Sequence, residues 1–172
     1  MLHLRAASPD DTRAIAAAIA SVSRSGDLVV LAGEMGAGKT AFAQGFGREL
    51  GVTEPITSPT FTLVHSYDTS SKVTLHHADI YRLSSHNEVA DLALGELLEY
   101  DGIVLVEWGD VVARSLGEHL LVRLDHDLDD ESVRHITVSG SGRSWAARWE
   151  RVEAALERFA DHDTDHDADW ID

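Results

Sequence analysis

The sequence predicts an α/β fold in which helices flank a central sheet of parallel and antiparallel strands. Three observations lead to this prediction. Residues 33–40 read GEMGAGKT, the pattern G-x-x-x-x-G-K-[ST], between a strand-like run and a helix-like segment. The aliphatic run Ile103 to Val106 is typical of a parallel strand that is covered on both faces. Residues 61–66 and 73–77 favour two strands joined by a short turn, which adds an antiparallel hairpin to the sheet.

The N-terminal half predicts a helix, a strand and a second helix, in that order. Ser8 is expected to cap the first helix and Pro9 to occupy its first turn, with acidic residues behind them. Gly26 ends this helix, and the apolar residues 28–32 follow as a buried strand. The next helix ends at Gly51. This order places the glycine-rich loop between a strand and a helix, which is the setting that a phosphate-binding loop requires.

The C-terminal half predicts a helix, three strands and a closing helix. Residues 85–88 fit a capping box that opens a helix through about Tyr100, and the aliphatic strand follows it. Residues 120–124 and 133–139 favour strands on either side of an acidic turn, and residues 144–160 predict an amphipathic helix. Together with the loop motif, these elements predict a single P-loop NTPase domain with a mixed sheet.

Length and composition fit one globular domain. A chain of 172 residues can bury about 70% of its unfolded surface, so a full α/β core is expected over residues 1–160. Residues 161–172 predict an acidic, disordered tail. The chain contains no cysteine, which excludes disulfides and thiolate metal sites and suits a reducing compartment. No stretch is long and apolar enough for a membrane span or a secretory signal, so we expect a cytoplasmic protein without membrane contacts.

The charge pattern argues against direct binding to nucleic acid. The net charge is −16, with five acidic residues between Asp125 and Glu131 and six between Asp161 and Asp172. The only lysines are Lys39 and Lys72. Because nucleic-acid binding depends on clustered cations, we expect no binding to DNA and contact with RNA only through a partner.

The loop motif predicts binding of a nucleoside triphosphate. Its glycines permit a tight turn, and the helix that follows presents unpaired amides to an anion. Lys39 is expected to reach the β- and γ-phosphates, and the Thr40 hydroxyl to ligate Mg²⁺. The alternative is a glycine-rich turn with a surface lysine. The residues expected to bind the nucleotide are Gly33, Glu34, Met35, Gly36, Ala37, Gly38, Lys39, Thr40 and Ala41.

Two carboxylates follow predicted strands and are candidates for metal binding or catalysis. Glu107 ends the aliphatic strand, and Asp79 ends the strand before it. Open α/β sheets bind their ligands at the carboxyl ends of the strands, so each residue could hold magnesium or orient the attacking water. For both residues, a solvated charge at a strand end is the alternative interpretation.

Further polar and aromatic residues surround the expected site. Thr57, Ser58, Pro59 and Thr60 form a hydroxyl-rich loop where nucleotide switches contact the γ-phosphate, although turns favour the same residues for local reasons. Trp108 could lie against the nucleotide or pack in the core. Adjacent strand residues face opposite sides, so His76 and His77 are expected to have structural or solvated roles and not to share a metal.

Four motifs together resemble the TsaE family. They are the loop at residues 33–40, SPTFTLV at residues 58–64, HADIYRL at residues 77–83 and VEW at residues 106–108. The resemblance covers roughly Ser8 to Ser139. It implies a bacterial P-loop ATPase of tRNA threonylcarbamoyladenosine biosynthesis that uses ATP/ADP and Mg²⁺ and acts on the TsaB–TsaD protein complex, with tRNA as an indirect partner only.

The resemblance also implies roles for individual residues. Catalytic roles fall on Lys39, Asp79 and Glu107, and metal binding on Thr40, Asp79 and Glu107. Residues 57–60 are similar to a switch loop, Trp108 to a neighbour of the nucleotide, and Asp11 and Thr12 to residues that contact adenosine. The chain departs from the family at Gly109, where proline is common, and at residues 129–131, where an arginine is common and Arg134 is the nearest cation.

Two other functions remain open at this point. A small-molecule P-loop kinase would share the loop and the sheet, but it usually needs a basic lid, and the middle of the chain supplies only Arg82, Arg114 and Lys72. A nucleotide-dependent interaction module with negligible turnover would share the binding site without the catalysis. Replacing Glu107 by alanine distinguishes such an interaction module from an ATPase. Only an ATPase should lose its function while it still binds ATP.

Overall fold

The computed structural model describes residues 1–59, 63–80, 94–108 and 117–161. These residues form a single sheet of seven strands with helices packed against it. The strands are β1 (Leu2–Ala6), β2 (Leu28–Ala32), β3 (Val64–Asp68), β4 (Thr74–Asp79), β5 (Gly102–Glu107), β6 (His119–His126) and β7 (Arg134–Ser141). The helices are α1 (Pro9–Val22), α2 (Lys39–Glu49), α3 (Leu94–Glu99), α4 (Arg143–Ala146) and α5 (Trp149–Leu156), with a 3₁₀ turn at Glu157–Phe159.

The sheet is mixed, as predicted. Its strand order is β1-β7-β6-β2-β5-β4-β3. The four central strands run parallel, while β1, β7 and β3 pair antiparallel with their neighbours at the two edges. Every residue of β2 and β5 is buried, because helices cover both faces of the parallel centre. The carboxyl ends of β2, β4 and β5 therefore meet at one edge of the sheet.

Several local predictions are confirmed. The Ser8 side chain caps α1 by accepting a hydrogen bond from the Asp11 amide at 3.2 Å, and Pro9 is the first helical residue. Gly51 follows the end of α2 with a φ of 83°, which glycine adopts without strain. The predicted hairpin forms, with Val64 opposite Ala78. The first strand of the hairpin lies further along the sequence than the predicted residues 61–66, because it runs from Val64 to Asp68.

The predicted continuous helix over residues 144–160 is wrong. Two short helices, α4 and α5, occupy this region, and Arg148 separates them with a φ of −115°. The Arg148 guanidinium donates to both carboxylate oxygens of Asp27 at 2.7 and 2.8 Å and to the Val22 carbonyl at 2.9 Å. This contact with the start of β2 fixes Arg148 outside regular helical geometry. The helical periodicity of residues 144–160 does not reveal this contact, so the break could not be predicted from it.

Other differences concern the chain ends and the middle of the sequence. Strand β1 was not predicted, although Leu4 and Ala6 alternate with exposed residues and are buried. Of the helix predicted over residues 85–100, the described part contains only α3. The division into residues 1–160 and an acidic tail stays a prediction, since residues 162–172 lie outside the described part. Within the described ranges, no helix combines the length and apolar character needed to cross a membrane.

Candidate nucleotide-binding site

The loop between β2 and α2 has the backbone geometry of an anion-binding site. Gly33, Gly36 and Gly38 have φ values of 138°, 80° and 105°, which are favourable only for glycine. A Cβ atom on Gly33 would lie 2.3 Å from the Leu124 carbonyl oxygen, so this position cannot carry a side chain without a backbone shift. No side chain caps α2, an eleven-residue helix. Its first amides are therefore available to an anion.

Lys39 lies within the loop and contacts Trp108. Its ammonium group donates to the carbonyl oxygens of Gly33 and Glu34, at 2.7 Å each. The same nitrogen lies 3.7 Å from the centroid of a Trp108 ring, which is a close cation–π contact. The Trp108 backbone has a φ of 64°, and its amide donates to the Leu31 carbonyl at 2.8 Å. The positive charge is therefore held where the motif predicts a polyphosphate.

Asp79 and Glu107, which the sequence places at the ends of two strands, lie next to each other in the sheet. They pair in register as the last residues of the adjacent parallel strands β4 and β5. Both residues line a cavity of about 390 Å³, a volume typical of small-molecule sites. The cavity is lined by Met35, Gly36, Gly38, Lys39, Thr40, Ser58, Pro59, Leu63, Asp79, Glu107 and Trp108.

The oxygen donors in this cavity fit a magnesium ion. Two carboxylates and the Thr40 hydroxyl are hard oxygen ligands, and magnesium usually takes one or two carboxylates together with substrate phosphates. Across the described ranges, no three His, Asp or Glu side chains form a metal site on their own. The donor set therefore suits an ion that enters with a nucleotide.

The predicted switch loop is joined to Asp79. The Ser58 hydroxyl donates to an Asp79 carboxylate oxygen at 3.1 Å, and the Asp79 amide donates to the Leu63 carbonyl at 2.9 Å. Leu63 has a φ of 59°, an uncommon conformation for a bulky residue. Thr57 lies outside the cavity, in a groove between α1 and α2. Thr60 falls outside the described residues.

His77 is a site neighbour that sequence reasoning missed. Its side chain is fully buried, and its Nε2 atom lies 2.8 Å from Oε1 of Glu107. His77 precedes Asp79 by two residues, so both side chains lie on the same face of β4, and this alternation was the available signal. His76 lies on the other face, where its Nδ1 atom meets the Ser66 hydroxyl at 2.8 Å and burial lowers its pKa. The two side chains therefore lie on opposite faces of β4, as the alternation of strand residues predicts.

Arg134 contacts the loop and does not line the cavity. Its guanidinium donates to the carbonyl oxygens of Ala37 and Gly36 at 3.1 and 3.3 Å. It also donates to the Glu131 and Val133 carbonyls at 2.6 and 2.7 Å. These bonds tie the loop to the start of β7. The sequence showed Arg134 only as the cation nearest to the acidic turn.

The remaining predicted site residues lie around the loop and do not line the cavity. The Asp11 carboxylate accepts hydrogen bonds from the Ala7 amide and the Ser8 hydroxyl at 3.0 and 3.1 Å, so it stabilises the start of α1. Thr12 is buried, and its methyl group lies 3.8 Å from the position of a Cβ atom on Gly38. Their contact with adenosine stays a prediction. Gly33, Glu34, Ala37 and Ala41 belong to the loop or to the first turn of α2.

Comparison with known proteins agrees with the sequence motifs. The family model described as threonylcarbamoyl adenosine biosynthesis protein TsaE matches residues 6–136. A Bacillus subtilis protein named tRNA threonylcarbamoyladenosine biosynthesis protein TsaE is 36% identical, over 94% of this chain and 96% of its own. A Streptomyces coelicolor protein of the same name is 42% identical, over 74% of this chain and 89% of its own.

A solved structure extends the likeness to the fold. The crystal structure of Bacillus subtilis YdiB superimposes with a TM-score of 0.69 and 32% sequence identity, over 91% of this chain and 94% of that one. The matched region contains the glycine-rich loop, both strand-end carboxylates and Trp108. The chain belongs to the TsaE family of tRNA threonylcarbamoyladenosine biosynthesis proteins.

Proposed function

We propose that this protein is a magnesium-dependent ATPase that supports formation of threonylcarbamoyladenosine beside the tRNA anticodon. It acts on the TsaB–TsaD complex and not on tRNA directly. One observation carries the proposal: Lys39, Thr40, Asp79 and Glu107 meet in a single cavity beneath a glycine-rich loop. The family membership supplies the pathway, and this cavity supplies the chemistry.

The loop and Lys39 bind the phosphates. The first amides of α2 and the loop amides donate to phosphate oxygens, and the helix dipole favours their negative charge. Lys39 exchanges its bonds to the carbonyls of Gly33 and Glu34 for the β- and γ-phosphates. Trp108 limits how far the ammonium group can move, because the ring lies directly against it.

Thr40, Asp79 and Glu107 would hold the metal ion. When bound, Mg²⁺ neutralises charge that develops on the phosphates during transfer. Asp79 and Glu107 lie at adjacent strand ends, so one carboxylate can bind the metal while the other orients the attacking water. The Ser58 hydroxyl, which donates to Asp79, connects this pair with the switch loop. A triphosphate that engages Asp79 thereby changes the contacts of the loop, and the triphosphate state favours docking on TsaB–TsaD.

The isolated protein should hydrolyse ATP slowly. Among the described residues that line the cavity, Lys39 is the only cation and there is no arginine. An arginine that stabilises the transferring phosphoryl group is worth about 10³ to 10⁵ in rate in other P-loop enzymes. We therefore expect a partner to complete the site. The absence of cysteine suits the reducing cytoplasm, in which we expect the protein to act.

The test measures ATP turnover by the protein alone, with purified TsaB–TsaD, and with TsaB–TsaD and tRNA. The expected result is slow turnover alone and a large rise with the complex. Lys39→Ala is the control for contaminating ATPases, and it should abolish the signal. Fast turnover without partners would contradict the partner dependence. Phosphate transfer to an added metabolite, with no effect of TsaB–TsaD, would favour a kinase instead.

A further inference from the structure

We propose that His77 is a positioning residue, which holds the Glu107 carboxylate so that one of its oxygens remains directed to the metal position. The inference rests on the proposed function, because it assigns a task to a neighbour of the same site. It concerns a side chain that does not line the cavity. His77 therefore acts through Glu107 and does not touch the nucleotide.

The strand register brings the two side chains together. His77 and Asp79 lie on one face of β4, and Glu107 lies opposite Asp79 on β5. The imidazole of His77 thus approaches Glu107 diagonally across two strands, with Nε2 at 2.8 Å from Oε1. The exposed fractions of the two side chains are 0% and 4%. Both strands are central in the sheet, so the contact is held rigidly and water does not compete for it.

The other ring nitrogen fixes the direction of this hydrogen bond. Nδ1 of His77 is buried and has no hydrogen-bond partner in the part of the chain that the structure describes. A proton on Nδ1 would be an unsatisfied buried donor, which is unfavourable. The imidazole proton therefore resides on Nε2, where it is donated to Glu107. His77 serves as a single donor with a fixed orientation.

The contact with His77 occupies one oxygen of the Glu107 carboxylate and leaves the other oxygen for a ligand. Oε1 of Glu107 accepts from His77, and within the described ranges no other side chain donates to Glu107. The second oxygen remains for a ligand in the cavity that Glu107 lines. Donors to metal-binding side chains commonly matter in this way, and losing one typically costs about 10- to 100-fold in metal affinity or activity. Without His77 the buried carboxylate loses its donor and its fixed orientation.

The neighbouring histidine provides a matched control. His76 is also buried on β4, but it contacts Ser66 on the other face of the sheet. The test compares His77→Leu, which removes the donor, with His77→Gln, whose amide can still donate to Glu107, and with His76→Gln. Affinity for ADP is measured by calorimetry with Mg²⁺ and with EDTA, and the melting temperature is recorded for each variant.

We expect His77→Leu to bind ADP in EDTA within about twofold of the wild type, while the gain in ADP affinity that Mg²⁺ gives should be about 10- to 100-fold smaller than in the wild type. His77→Gln should recover most of this loss, and His76→Gln should match the wild type. The inference is overturned if His77→Leu shows the magnesium dependence of the wild type. It is also overturned if both His77 variants lose ADP binding equally with Mg²⁺ and with EDTA, since that marks a structural role only.

A second measurement needs no destabilising variant. In the NMR spectrum of the wild-type protein, the Nε2–H resonance of His77, assigned by its absence in His77→Gln, should shift with ADP and Mg²⁺ but not with ADP and EDTA. An unchanged resonance would overturn the inference even if His77→Leu failed to fold. Neither readout requires turnover. Absence of ATP hydrolysis therefore contradicts only the proposed function, whereas a wild type without magnesium-dependent ADP binding contradicts both.

Discussion

Two buried carboxylates, Asp27 and Glu107, lie in the same sheet but differ in how completely they are paired. Both oxygens of Asp27 accept from the Arg148 guanidinium, and one also accepts from the Arg24 amide at 2.8 Å. Among the described residues, His77 is the only side chain that donates to the Glu107 carboxylate, which faces a cavity. A fully paired carboxylate can only support the fold. A carboxylate with one oxygen that accepts from no side chain can still bind a ligand.

The residues around Asp27 and those around Glu107 also differ, since the first group stabilises the fold and the second has the features of a binding site. Around Asp27, the guanidinium also lies 4.1 Å from the Trp145 ring and joins the C-terminal helices to the start of β2. Around Glu107, the backbone holds Trp108 and Leu63 at positive φ, which is uncommon outside glycine. Such strain persists where the surrounding structure imposes it and is typical of binding sites. The difference predicts that substitutions will separate stability from activity.

The largest expected effect is on stability, at Asp27. Asp27→Ala leaves the Arg148 charge buried and unpaired, so it should lower the free energy of unfolding by about 3 to 5 kcal/mol. Urea denaturation measures this change. The control is Asp10→Ala in the exposed Asp10–Arg13 pair, which should cost about 0 to 1 kcal/mol. Equal losses of stability in the two variants would show that the buried ion pair contributes no more than the exposed one.

The next effect is on turnover, at Glu107. Glu107→Ala should reduce partner-stimulated ATP hydrolysis by about 10² to 10⁴, the range for loss of a positioned acid or base, while ATP still binds through the loop. Turnover and ATP affinity are measured separately. Glu49→Ala, on the exposed end of α2, is the control. A variant that retains function in tRNA modification despite lost turnover would favour an interaction module.

A smaller effect is expected at Arg134, which donates to two carbonyl oxygens of the loop. Arg134→Ala should weaken nucleotide binding about tenfold, because Gly36 and Ala37 lose the donors that orient their carbonyls. Calorimetry with ADP and Mg²⁺ measures the change. Arg151→Ala, on the exposed side of α5, carries the same charge change far from the loop. An equal loss in Arg151→Ala would indicate a general electrostatic effect.

The smallest effect is a pH dependence at His135, away from the site. The imidazole lies 2.7 Å from Asp127 and 3.0 Å from Asp161. The hydrogen bond with Asp127 is the main cause that raises the pKa of His135, and it lowers the pKa of Asp127 to about 2. The stability contributed by His135 is therefore complete below its unfolded pKa of 6.5 and lost as the pH rises through the higher folded pKa. The stability contributed by Asp127 is present above its unfolded pKa of 3.8 and is lost as the pH falls through its folded pKa of about 2.

Urea denaturation of wild type and His135→Asn between pH 5 and pH 9 measures the first of these effects. The advantage of the wild type should be greatest at the acidic end of the series and should shrink as the pH increases. A constant difference across the series would show that the His135 contacts do not titrate in the folded protein.

Features encoded by neighbouring residues could be predicted from the sequence. The Ser8 cap, the glycine-rich loop and the buried strand at Ile103 to Val106 each depend on residues within one short segment. Their patterns follow directly from backbone geometry and burial. The meeting of Asp79 and Glu107 was also accessible, because strand ends in a parallel sheet share an edge.

Features that join distant segments could not be predicted. The contact of His77 with Glu107 spans 30 residues, and that of Arg134 with Gly36 spans 98. The break at Arg148 depends on Asp27, 121 residues away. Each contact requires the register of strands or the docking of a helix, which no local pattern specifies. Sequence reasoning therefore found residues that line the cavity and missed the contacts that His77 and Arg134 make with them.

The contact between Lys39 and Trp108 gives the protein a built-in optical reporter. An indole ring 3.7 Å from an ammonium group senses that charge through its excited state. If a polyphosphate replaces the Gly33 and Glu34 carbonyls as the partner of this ammonium group, the electric field at the ring changes. Emission from this chromophore should thus follow occupancy in real time, without a dye and without chemical labelling.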